Sequence, residues 1–252
     1  MKKNKTQKSS LPFNVMNFGE KMFQNASPTQ ILSIALALDL SGSMTSVVDG
    51  ISGKKTCLDL LCEALNKMVN TIAGDPLLRT SVELEIITFN SNVEIVRPFS
   101  TVENDSGLPT LVAGGITLIG EAVSKAAEEL RTRKKFNLQQ GCSHVLSPVL
   151  IVLSDGVAFE SSPEMLARGI NECKSKDFNV VPVLIGNVGA DPGYLGKIGD
   201  PINVSELALG DLFEGIVAAT TSSLTTVAAE DSFRDLLASA LSWSSVLGNI
   251  GK

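Results

Sequence analysis

From Gln30 onward, short apolar runs alternate with stretches in which apolar residues recur every three or four positions. Ile31 to Asp39 is almost continuously apolar through Ile31, Leu32, Ile34, Leu36 and Leu38, as a central strand of a parallel sheet must be when both faces are covered. Cys57 to Ala73 sets Leu58, Leu61, Leu65, Met68, Val69 and Ile72 at helical spacing. Asp75-Pro76 ends that helix, because proline cannot continue it. Val82 to Phe89 begins as an alternating strand, and Asn90-Ser91-Asn92 turns it tightly into Val93 to Phe99. So short a link joins only antiparallel strands, and Pro98 suits the sheet edge. The pattern then predicts a helix over Ile119 to Arg133, a polar loop from Asn137 to Ser147 holding His144, and a strand from Pro148 to Leu153. A helix over Pro163 to Lys174, a strand over Phe178 to Ile185, a helical turn within Asp191 to Ile198, a short strand Ile202 to Val204 and a helix Leu207 to Leu224 follow.

Strands alternating with helices define an α/β fold of three layers, doubly wound in the Rossmann-like manner. The expected sheet has six strands, mostly parallel, with one antiparallel edge strand. Residues 1–28, with Lys2, Lys3, Lys5 and Lys8, read as a flexible basic arm, 29–228 as the folded domain, and 229–252 as an amphipathic extension. In that extension Phe233, Leu236, Leu237, Ala240 and Leu241 share a face, which serves either to pack on the domain or to dock a partner.

Composition narrows the field. Of 252 residues, 44% are hydrophobic but only 5% aromatic, so the core is aliphatic. A net charge of −6 argues against nucleic acid as the main partner, since phosphate binding wants a basic face. No segment reaches the roughly 20 apolar residues of a membrane span. Lysines near Met1 are followed by a stretch broken by Pro12, Asn14, Asn17, Glu20 and Lys21, unlike a signal peptide. Cys57, Cys62, Cys142 and Cys173 form no metal-binding spacing, and free thiols in a reducing cytoplasm are the expectation.

The chemistry gathers at strand ends. Asp39-Leu40-Ser41-Gly42-Ser43 follows the first strand, and Asp155 follows the strand ending at Leu153. Thr117 lies in Gly114-Gly115-Ile116-Thr117, a glycine-rich loop opening onto a helix. In open α/β folds such loops hold ligands. Carboxylate and hydroxyl oxygens suit a hard cation such as Mg2+ rather than zinc.

Asp39, Ser41, Ser43, Thr117 and Asp155 together match the metal-ion-dependent adhesion site, D-x-S-x-S with a distant Thr and a distant Asp. On that ground the chain, over about residues 31 to 225, resembles the von Willebrand factor A (VWA) domain. Leu38 to Met44, Asp75-Pro76-Leu77, Val82-Glu83-Leu84, Ile87-Thr88-Phe89 and Thr117 to Ala122 are similar to the bacterial TerY/YegL-like branch, associated with tellurium resistance and stress. The resemblance implies that Ser41 and Ser43 bind the metal directly, that Asp39 acts largely through water and orients the serines, and that Thr117 and Asp155 complete the shell. It implies Mg2+ as cofactor, with Mn2+ or Ca2+ as alternatives. A non-enzymatic protein would then bind a partner's Asp or Glu through the metal, beside Met44, Gly115 and Gly156. A protein kinase and PP2C-type phosphatase pair is the partner context of that branch. Leu118 stands where the branch commonly has proline and Ile116 where it has a small residue. The loop Thr45 to Lys55, with Asp49, Lys54 and Lys55, is longer than usual.

Two other readings use the same site. A metal-dependent phosphatase or phosphotransferase would want a general acid two residues after Asp39, where Ser41 stands. A subunit docking on an ATPase would need the motor in trans, since no ATPase segment is present here. Gly53-Lys54-Lys55-Thr56 lacks the first glycine of a P-loop, at Val48, and has Lys55 where Ser or Thr should follow the lysine. Cys142 with His144 is too sparse for a thiol nucleophile, and no Gly-x-Ser-x-Gly elbow occurs.

Overall fold

A central strand, β1 (Gln30–Asp39), is buried at nine of its ten positions. Its parallel neighbours are β2 (Val82–Phe89) and β5 (Val149–Ser154), which account for that burial. Antiparallel β3 (Val93–Thr101) closes one edge, and parallel β6 (Asn179–Ile185) and β7 (Ile202–Val204) extend the other. The order is β3-β2-β1-β5-β6-β7. The structure, a computed structural model, describes residues 30–49, 53–102, 108, 110–155, 162–186, 192–226 and 232–250.

Helices cover both faces. On one, α1 (Cys57–Gly74), α6 (Leu209–Thr225) and α7 (Phe233–Ile250) share a single core cluster with Leu32, Ile34, Leu36 and Leu38. On the other, α3 (Ile119–Gln139) sets Ala122, Ala126 and Ala127 in one cluster with Ala35 and Ala37, small residues that let helix and strand lie close. α4 (Pro163–Cys173) packs beside α3, while α2 (Leu78–Ser81) and α5 (Leu195–Ile198) are single turns. A capping box starts α1. The Asp59 N–H donates to Thr56 Oγ1 at 3.1 Å, and the Thr56 N–H donates back to Asp59 Oδ2 at 2.8 Å.

The structure departs from the sequence expectation in three places. A seventh strand, the two-residue β4 (His144–Val145), pairs with the start of β1 inside the expected loop. Backbone pairing makes it, with the Leu146 N–H donating to the Ile31 carbonyl at 2.9 Å, and such pairing leaves no side-chain pattern to read. Helix α3 also continues to Gln139, beyond the charged cluster expected to end it at Arg133. Those charges are spent on neighbours: Arg131 pairs with Glu172 and Asp177, and Arg133 grips Glu83. Consequently β2 has no solvent face, and Glu83 and Glu85 are both buried.

The C-terminal helix α7 buries Phe233 and Leu237 in the same core as α1 and α6. Arg234 also pairs with Asp200 and donates through Nε to its carbonyl at 3.0 Å. The N-terminal arm lies outside the described residues.

Candidate metal centre

Asp39 ends β1 at 1% exposure, because β2 and β5 continue alongside it. Its carboxylate is held on both oxygens. The Ser41 backbone N–H donates to Oδ1 at 2.8 Å, and the Ser154 hydroxyl donates to Oδ2 at 2.6 Å. Beyond Ser41 the chain enters a 3-10 turn, Gly42–Thr45, secured by the Thr45 hydroxyl donating to the Gly42 carbonyl at 2.7 Å. The turn brings Ser41 Oγ and Ser43 Oγ to 3.0 Å of each other. Ser41 is buried and Ser43 is exposed, so the hydroxyl pair leads from the core to the surface.

Backbone bonds dock the second loop onto the first. The Gly114 N–H donates to the Leu40 carbonyl at 2.8 Å, and the Gly42 N–H to the Gly115 carbonyl at 3.2 Å. The turn after β2 holds the same loop from the other side. The Leu118 N–H donates to the Asn90 carbonyl at 3.1 Å and the Ile116 N–H to Ser91 Oγ at 3.2 Å. A proline at 118 would have no such donor. Thr117 sits between these tethers, 5% exposed. Gly115 has φ +85, and a Cβ there would lie 2.3 Å from Ser91 Oγ. Only glycine fits that conformation and that gap together.

Asp155 follows Ser154 directly and lines one cleft with Ser43 and Met44. The structure therefore joins Asp39 to Ser41 by a hydrogen bond, places Ser43 against Ser41, docks the loop of Thr117 on theirs, and puts Asp155 at the next strand end. Met44 is 2% exposed with its side chain in the core, while Gly115 is exposed at the surface. Gly156 lies outside the described residues. Ser154, Asn90 and Ser91 were not singled out from the sequence. The one available signal was the serine of Leu153-Ser154-Asp155, since the pairing of Leu38 with Leu153 sets Ser154 beside Asp39.

The local field is negative. Burial pushes the Asp39 carboxyl above its ordinary pKa, the hydrogen bonds from Ser154 and Ser41 oppose that, and the charge of Asp155 adds to it. Cys57 is pushed up to about 12 by burial and then by Glu206, Asp155 and Asp39. Among the described residues no group of three or more His, Cys, Asp or Glu side chains could hold a metal. The candidate donor set is instead two carboxylates, Asp39 and Asp155, with the hydroxyls of Ser41, Ser43 and Thr117. Buried acid beside adjacent hydroxyls fits a hard divalent cation, which would neutralise the site, and does not fit a soft one.

Fold and site define a mostly parallel α/β domain with an oxygen-lined site in the loops after its central strands. Residues 34–157 match the von Willebrand factor type A domain family, a span that contains all five ligand candidates. Over that span the chain is similar to a von Willebrand factor type A domain. Solved structures share the fold. The PilB minor pilin from Streptococcus sanguinis aligns with TM-score 0.56 and 14% identity over 77% of this chain and 62% of its own length. The vWF domain of the type V pili tip protein Mfa5 from Porphyromonas gingivalis aligns with TM-score 0.54 and 10% identity, over 81% of this chain and 99% of that one. The SpRpn10 VWA domain gives 0.50 and 14%, over 79% and 100%. At these identities the likeness is one of fold. No curated protein sequence matches the chain. No helix among the described residues is long and apolar enough to cross a membrane.

Proposed function

We propose that this protein is a non-enzymatic interaction module that binds an acidic group of a partner protein through a metal-ion-dependent adhesion site. The observation that carries the reading is the hydroxyl pair Ser41 and Ser43, 3.0 Å apart, built on a buried and doubly hydrogen-bonded Asp39. Ser41, Ser43 and Thr117 would hold the metal with neutral oxygens, Asp39 would orient the serines, and Asp155 would complete the set. A bound Mg2+, or Mn2+ or Ca2+, would supply an electrophilic position for a partner's Asp or Glu carboxylate. Neutral hydroxyls leave most of the cation's charge unspent, so the position stays attractive to that acid. Exposed Ser43 and Gly115 lie where the partner would approach.

The same geometry argues against phosphotransfer. Asp39 is 1% exposed, both oxygens accept hydrogen bonds, and Ser41 stands where a general acid is needed. The motifs shared with the TerY/YegL-like branch support a role in bacterial stress or tellurium-resistance signalling, with a kinase and PP2C-type phosphatase pair as candidate partners. Four free thiols fit a cytoplasmic, reducing setting. Pull-down from the host with wild type, wild type plus EDTA, and Asp39→Ala tests the reading. The expected result is a partner recovered by untreated wild type alone, and equal recovery in all three would contradict it. Phosphoester turnover lost on Asp39→Asn would point to the enzyme instead.

A further inference from the structure

Beside the candidate metal centre lies a cleft of about 510 Å³, within the rough 300–1,000 Å³ range of ligand pockets. One wall is the loop after the 3-10 turn, with Val47 and Asp49. The other is the segment around Gly186, Glu206 and Leu207. Val47 and Leu207 are 56% and 58% exposed, an apolar lining open to solvent. Asp49 and Glu206 add two carboxylates to that of Asp155, and among the described residues no Lys, Arg or His lines the cleft. The nearby Lys55 is turned to Glu63 at 2.7 Å. Asp39 and Asp155 belong to the metal centre, which leaves Asp49 and Glu206 to face whatever enters the cleft.

We propose that this cleft is a second pocket for the same partner segment, taking a lysine or arginine side chain a few residues from the acid bound at the metal. The inference rests on the metal-dependent reading above and specifies the partner: a segment with an acid and a base close in sequence. The two features of the cleft match the two parts of such a side chain. Val47 and Leu207 cover the aliphatic stem, and Asp49 and Glu206 meet the charged head. A second acid in the segment would be repelled by the same carboxylates. The cleft therefore selects among acidic segments, which the metal alone would accept indiscriminately.

The experiment selects short random displayed peptides on the immobilised full chain in Mg2+ buffer, then titrates the recovered peptides against variants. The expected peptides carry Asp or Glu with Lys or Arg within a few residues. Replacing that base by norleucine should weaken binding to wild type, and the difference should vanish in the Asp49→Asn/Glu206→Gln double variant. Loss of each carboxylate should weaken a basic peptide by roughly two- to fivefold. Recovered peptides with no excess of basic residues, or a lysine preference unchanged in the double variant, would overturn the proposal. Basic peptides that bind equally with EDTA and to Thr117→Ala would refute the metal reading, and with it the claim that one segment spans both pockets.

Discussion

Glu85 is the residue whose charge is least welcome in this fold. It is 1% exposed on β2, and its Oε1 has no hydrogen-bond partner among the described residues. Burial and then the charge of Glu129 raise its pKa from 4.5 to about 8, with Lys125 and Arg133 opposing. Between those values the folded chain keeps a proton that the unfolded chain releases, so stability is full below 4.5 and falls as pH rises toward 8. Glu85→Gln should flatten that decline and gain about 1–3 kcal/mol over wild type at pH 8.5 relative to pH 5. Urea unfolding across pH checks this, and parallel profiles would contradict it. Gly115 is constrained by backbone rather than charge. With φ +85 and Ser91 Oγ where a Cβ would go, Gly115→Ala should cost about 1–3 kcal/mol and displace the loop that carries Thr117. Thermal unfolding together with Mg2+ calorimetry should show both losses, and an unchanged metal affinity would show the loop to be uncoupled from the site.

At the scale of elements, β2 and α3 are locked by a buried polar cluster. Glu83 accepts from Ser33 Oγ at 3.0 Å, Asn137 Nδ2 at 2.7 Å and Arg133 Nε at 2.9 Å. Burial alone would raise its pKa, but these partners, Arg133 foremost, hold it below the usual carboxylate value. Arg133→Ala would strand that charge and should cost about 3 kcal/mol in urea unfolding. A loss below about 0.5 kcal/mol, the level of an ordinary surface change, would mean the cluster does not bind the elements together. This cluster also shows what the sequence could and could not convey. The apolar run of β1, the helical period of α1 and the turn between β2 and β3 each leave a local pattern, and each element forms as expected. The extension of α3 does not, because Arg131 and Arg133 read as a solvated helix end until Glu83, Glu172 and Asp177 are placed opposite them. The site divides the same way. Asp39, Ser41 and Ser43 stand two residues apart and are legible, whereas Ser154 reaches Asp39 only through the register of β1 and β5.

For the whole molecule, the sheet brings three separate strand-end and loop segments to one edge, and the chain between them builds a core that holds them there. That design leaves a stable scaffold with a negative pocket, so a divalent cation should stabilise the fold as well as occupy the site. At 100 times its Kd, a ligand that binds only the folded state adds about 2.7 kcal/mol. The most direct measurement is titration of the full chain with Mn2+ followed by electron paramagnetic resonance, with Mg2+ as competitor. One Mn2+ should bind per chain, be displaced by Mg2+, and be lost in Asp39→Asn and in the Ser41→Ala/Ser43→Ala double variant while both variants remain folded. No saturable Mn2+ binding, or binding unchanged in those variants, would contradict the metal-dependent reading.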